Sequence, residues 1–133
     1  MKRQAITTSA ILLLLLSGAA YAHHSFAMFD QVNQKTLAGT VKEVQWTNPH
    51  IWVQLLVRDP ASGQVVEWSI EGASPNALMR QGWKRDETLK LGDAVTVFAW
   101  RSRLDPNMGA AREITFADGH KMTVGPPAGT GGQ

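Results

Sequence analysis

The chain has 133 residues, with 13 basic and 11 acidic side chains and no cysteine. Lys2 and Arg3 account for the whole formal charge of +2. The remainder is neutral and lacks the basic excess that phosphate-backbone binding requires, so nucleic acid is not an expected partner. Without cysteine there are no disulfides, no thiol nucleophiles and no lipid attachment through a cysteine, and an apolar core must hold one small domain together.

Residues 1–22 read as a secretory signal peptide. A basic head (Lys2, Arg3) precedes an apolar run from Ala10 to Leu16, and Ala20-Tyr21-Ala22 supplies the small-x-small cleavage site. The run is shorter than the roughly 20 residues that span a bilayer, and no later stretch approaches that length, so no membrane span is expected in the mature protein. The mature chain is expected to begin His23-His24-Ser25-Phe26 and to be a soluble periplasmic or secreted protein of bacterial type. Residues 23–35 are a polar arm with a small apolar cluster at Phe26, Met28 and Phe29.

The barrel domain is expected over 36–124. Thr36 to Trp46 reads as a first strand whose alternation slips between Val41 and Val44, with Gly39 just before the slip, the pattern of a bulge or sharp bend. His50 to Arg58 is a clean second strand: Ile51, Val53, Leu55 and Val57 share one face, and Trp52, Gln54, Leu56 and Arg58 the other. Asp59-Pro60-Ala61-Ser62-Gly63 reads as a hairpin turn into a third strand, Gln64 to Ile70. Ser74 caps a short helix with Pro75 at its first position, and Gly82 stops it. Leu91-Gly92-Asp93 turns the chain into a fourth strand, Ala94 to Arg101, and Ala110 to Phe116 is the fifth. Residues 125–133 are Pro- and Gly-rich and read as a disordered tail. The predicted class is all-β with one short helix, in the order β-β-β-α-β-β of a five-stranded OB-like Greek-key barrel.

Four histidines carry the chemistry that the sequence offers. A free α-amine and imidazole at His23, completed by a third nitrogen from His24 or His50, would form a T-shaped site suited to copper, which tops the divalent affinity series. His50 is placed well for this, at the start of the second strand in the loop that borders the usual OB binding face. The plainer reading gives His50 a backbone hydrogen bond that holds the turn, and leaves the terminus mobile. His120, in Asp118-Gly119-His120, reads as a surface loop residue. Met28, Met108 and Met122 read as gap-fillers in the core, although thioethers also suit Cu(I).

Trp46-Thr47-Asn48-Pro49-His50-Ile51-Trp52 is the densest patch in the chain. Trp46, Asn48 and Trp52 form a ligand-binding hypothesis in which the indoles stack on a sugar, a base or a peptide side chain. The competing reading, favoured here, packs Trp52 beneath the N-terminal segment or the helix, with Phe26 and Phe29 as partners. That arrangement would also bring His23 towards His50. Glu67 and Glu71 flank Trp68 and Ile70 at opposite ends of the third strand and do not read as a carboxylate pair. No Ser-His-Asp set is evident, so no catalytic residue is assigned.

The chain resembles a family of small exported bacterial proteins of unknown function. The likeness is carried by Ala22-His23-His24-Ser25-Phe26, Gly39-Thr40-Val41, Trp46-Thr47-Asn48-Pro49-His50, Glu71-Gly72-Ala73-Ser74-Pro75, Gly82-Trp83 and Leu91-Gly92-Asp93. The resemblance implies an exported OB-like domain and carries over no activity. It places the His-His start and the Asn-Pro-His turn within a family pattern. Three functional expectations follow: a periplasmic, non-catalytic binding or accessory protein; a copper-binding protein using His23 with His24 or His50; and, ranked last, a copper-dependent oxidative enzyme.

Overall fold

A computed structural model describes residues 27–125. Six strands, β1 (Phe29–Gln45), β2 (Trp52–Arg58), β3 (Val65–Glu71), β4 (Ala94–Ser102), β5 (Met108–Phe116) and β6 (Lys121–Thr123), form one sheet in the order β3-β2-β1-β4-β5-β6. A parallel pairing of β3 with β5 closes five of them into a barrel, while every other neighbouring pair is antiparallel. The helix α1 (Pro75–Arg80) lies between β3 and β4. This is the OB layout expected from the sequence, with a short sixth strand appended.

β1 serves two partners because it bends. Gly39 and Thr40 pair with Val57 and Leu56 on one side and with Val95 and Ala94 on the other. A Cβ at Gly39 would lie 2.5 Å from the Leu56 carbonyl oxygen and 2.9 Å from Leu55 Cγ, so only glycine lets the strands approach there. The expected slip is present: the register against β2 shifts between Val41 and Glu43, leaving Lys42 as the extra residue.

Two features differ from the sequence reading. β1 begins at Phe29, so residues 29–35 of the expected arm are strand. Their run Asp30-Gln31-Val32-Asn33-Gln34-Lys35 has a single apolar residue and no alternation, and pairing with the end of β4 supplies the order. The ladder breaks between Asp30 and Gln34, where the Asp30 carboxylate accepts from the Val32 and Asn33 amides at 3.0 and 3.2 Å. The second difference is β6, whose three residues are too few to show a period.

The core fills the barrel with the inward row of β2 (Val53, Leu55, Val57), Val41 of β1, Ile70 of β3, Val97 of β4 and Ile114 of β5. Helix α1 closes one end. Ser74 accepts the Ala77 amide at 3.2 Å, Pro75 occupies the first position, and Leu78 is fully buried. Removing that one leucine from water is worth about 1.5–3 kcal/mol. Trp83 follows the helix, buried, with its indole N–H donating to the Thr123 carbonyl at 3.0 Å. Among the described residues no helix is long and apolar enough to cross a membrane.

Candidate functional site

The loop between β1 and β2 is pinned at its exit. Ile51, fully buried, donates its amide to the Ala73 carbonyl at 3.1 Å and accepts from the Gly72 amide at 2.9 Å. A Cβ on Gly72 would meet Ile51 Cγ1 at 2.7 Å, so the backbone after β3 lies flat against this residue. Thr47 Oγ1 donates to the His50 carbonyl at 3.2 Å, and the Asn48–Pro49 peptide is cis. Asn48 itself is exposed. His50 is thereby fixed at the loop's last turn, half-buried, one residue from the core.

Its imidazole has a specific partner. His50 Nδ1–H donates to Oε1 of Glu71, the last residue of β3. Glu71 is only 9 % exposed and, among the described residues, is the one charged residue of the buried set. A buried carboxylate costs free energy unless it is hydrogen-bonded, so the pair stabilises both groups where they stand. With Nδ1 committed, the neutral ring carries its lone pair on Nε2, and the ring plane is set by the carboxylate. The same orientation recurs where an imidazole ligates a metal through one nitrogen and donates to a carboxylate through the other.

Residues directly opposite in a ladder share a face. Trp52 pairs with Glu71, Glu71 with Ala110 of β5, and Ala110 with Trp100 of β4. One row of the outer barrel surface therefore runs Trp52, Glu71, Ala110, Trp100, over about 14 Å at the usual strand spacing. Trp52 and Trp100 are half-buried and stand outside the core cluster, whereas Trp46 packs against it. The floor between the two indoles is a carboxylate held by His50 and a methyl group.

The expected partnership of Trp52 with Phe29 is corrected. Phe29 is buried at the start of β1, paired with Ser102 at the end of β4, whereas Trp52 pairs with Gln45 at the other end of β1. The reason is the length of β1, whose start and finish pair with different strands. His23, His24, Phe26 and the cleavage site lie outside the described residues. Among the described residues no group of three His, Asp or Glu side chains is placed to hold a metal ion.

A concavity of about 490 Å³ lies at the β5–β6 turn, bounded by Lys90, Asp93, Phe116, Asp118, His120 and Met122 among others. His120 stacks on Phe116 with centroids 4.2 Å apart, and its Nδ1 lies 2.5 Å from Asp118 Oδ1. The His120 amide, then its ring, hydrogen-bonds the Asp118 carboxyl and holds it below the ordinary aspartate value. His120 is exposed, as the sequence suggested.

Sequence reasoning missed that Glu71 and Trp100 share a row with Trp52. Glu71 was recoverable: Asp59 and Gln64 close the hairpin through a 2.8 Å bond, and counting outward from it sets Trp52 opposite Glu71. Trp100 had no local signal, because only the parallel β3–β5 seam brings β4 round to this face.

A family described as of unknown function, DUF6152, matches residues 11–111. No curated protein matches the chain. Among solved structures, the mitochondrial single-stranded DNA binding protein Rim1 of S. cerevisiae is similar at 13 % identity and a TM-score of 0.47. The match covers 70 % of this chain and 96 % of that one.

Proposed function

The chain belongs to that family of unknown function, and we propose that it is an exported, non-catalytic binding module that works through the rim formed by the β1–β2 loop and the end of β3. The observation that carries this reading is His50, held by the nearly buried Glu71 with Nε2 left for another partner. A side chain that only secured its turn would not need a carboxylate inside the barrel wall, since a backbone carbonyl would serve. Export is supported by the three-part leader, and the balanced charge of the remaining chain argues against nucleic acid.

A second reading names the ligand as a copper ion. The carboxylate-oriented imidazole favours it, because that partnership fixes the tautomer and raises the basicity of the ligating nitrogen. The α-amine and imidazole of His23, and His24, would supply the further nitrogens. Titration of Cu(II) into protein purified from the periplasm and starting at His23 tests both readings. Under the copper reading, His50→Ala and Glu71→Gln each weaken binding by about 10–100-fold, and one residue added before His23 weakens it further. Copper binding that is indifferent to all three changes rejects the metal reading. Mass spectrometry that places the start away from His23 rejects its terminal ligand.

A further inference from the structure

The outer face of β4 and β5 carries an arginine that the barrel goes to some length to hold. Arg112 is the extra residue of a bulge: Phe98 pairs with Glu113 and Ala99 with Ala111, so Arg112 has no partner across the ladder. Bulges re-aim a side chain, and this one lays the guanidinium over the indole of Trp100, with Cζ 4.2 Å from the ring centroid. The segment after β6 secures the bulge from the other side. The amides of Val124 and Gly125 both donate to the Arg112 carbonyl, at 3.1 and 3.4 Å. A Cβ on Gly125 would lie 2.4 Å from the Ala111 carbonyl oxygen and 3.0 Å from Arg112 Nη1, so glycine lets the backbone lie against the guanidinium.

Among the described residues no carboxylate pairs with Arg112, and Glu113 beside it is bound to Lys121 at 2.9 Å. Partial burial lowers the Arg112 pKa from its ordinary value, the direction that desolvation gives a cation. A guanidinium held over an indole keeps N–H groups for a further partner, and their paired geometry matches the two oxygens of a planar carboxylate. Phe98 and Trp100 share this outer face, both half-buried outside the core cluster, and Ala110 next to Trp100 leaves room above the sheet.

We infer that Arg112 on Trp100 is a receptor for a carboxylate, taken up with its apolar flank against the Phe98–Trp100 surface. The carboxylate belongs to a small aromatic acid or to the free end of a peptide. The Arg112 bulge selects the anion by fork geometry, and the aromatic face selects its apolar neighbour. The site requires no metal and does not depend on His50.

Benzoate tests this directly, with benzamide as the neutral isostere and acetate as the anion without a ring. In titrations followed by tryptophan fluorescence and calorimetry, benzoate is expected to bind at least tenfold tighter than either. Arg112→Gln and Arg112→Lys should each lose about tenfold or more for benzoate, since lysine keeps the charge but not the fork. Thermal melts of both variants check folding, and Trp100→Phe, which keeps a ring beneath the guanidinium, should lose less than either. A Gly-Gly-Phe tripeptide with free and with amidated C-terminus separates the two sources: binding of the acid above that of benzoate identifies a chain end, and weaker binding a small acid. Benzamide bound as well as benzoate, full affinity in Arg112→Gln, or no benzoate binding at millimolar concentration would each overturn the assignment.

Discussion

At the scale of single residues, short-range hydrogen bonds act on charged groups alongside the exposed ion pairs of the barrel surface, such as Lys42 with Glu67 and Lys121 with Glu113. Asp30 is the clearest case. The Asn33 side-chain amide, then the Val32 and Asn33 backbone amides, hold its carboxyl below the ordinary aspartate value. A carboxyl depressed in the folded state adds stability above its unfolded value of about 3.9, and that contribution disappears as pH falls through the lower folded value. Acid unfolding should therefore show a stability loss below about pH 4 that Asp30→Asn reduces. An identical acid profile for the variant would show that the turn gains nothing from the ionised form. Gly39→Ala is expected to lower stability by about 1–3 kcal/mol, because its methyl would enter the Leu56 carbonyl. Chemical denaturation measures that difference, and an unchanged midpoint would mean that β1 can yield.

At the scale of elements, β2 and α1 do different work. β2 supplies the inward row and, on its other face, Trp52, so its alternation positions core and site together. Leu55→Ala should cost about 2–5 kcal/mol, read as a drop in the urea midpoint, since Leu55 is fully buried in the barrel centre. α1 has only six residues and stands by its cap and by Leu78 rather than by helix propensity. Ser74→Ala is expected to lose about 1 kcal/mol through the unpaired Ala77 amide, a shift of several degrees in Tm for a domain of this size. The effect should leave Cu(II) binding and benzoate binding alone, because neither set of residues lies on the helix.

At the scale of the whole molecule, closure is the decisive event. β3 and β5 pair over three residues only, Ser69 to Glu71 against Met108 to Ala110. The segment after β6 extends this seam: Val124 accepts the Ala73 amide at 2.7 Å and donates to Arg112 at 3.1 Å, with its side chain fully buried. The segment after β6 thus ties the loop after β3 to the bulge in β5. Val124→Ala should remove about 2 kcal/mol and, by loosening the bulge, weaken benzoate binding along with stability. Unfolding of the parent followed by far-ultraviolet circular dichroism and by tryptophan fluorescence should give coincident transitions, as expected of one barrel with one core.

Much of this molecule is written locally. The alternation from Ile51 to Val57, the slip after Gly39, the Ser74-Pro75 start and the turn glycines each act within a few residues, so five of the six strands and the OB class could be read from the chain alone. His50 could be singled out too, because a histidine between a proline and a buried strand stands at an edge whatever the fold. What surrounds it could not. Glu71 reaches His50 through hairpin register, and Trp100 and Arg112 reach the same face only because the barrel closes between β3 and β5. Contacts across a closed sheet depend on shear and bulges, which arise when strands distant in sequence settle against one another, and no short window of sequence contains that information.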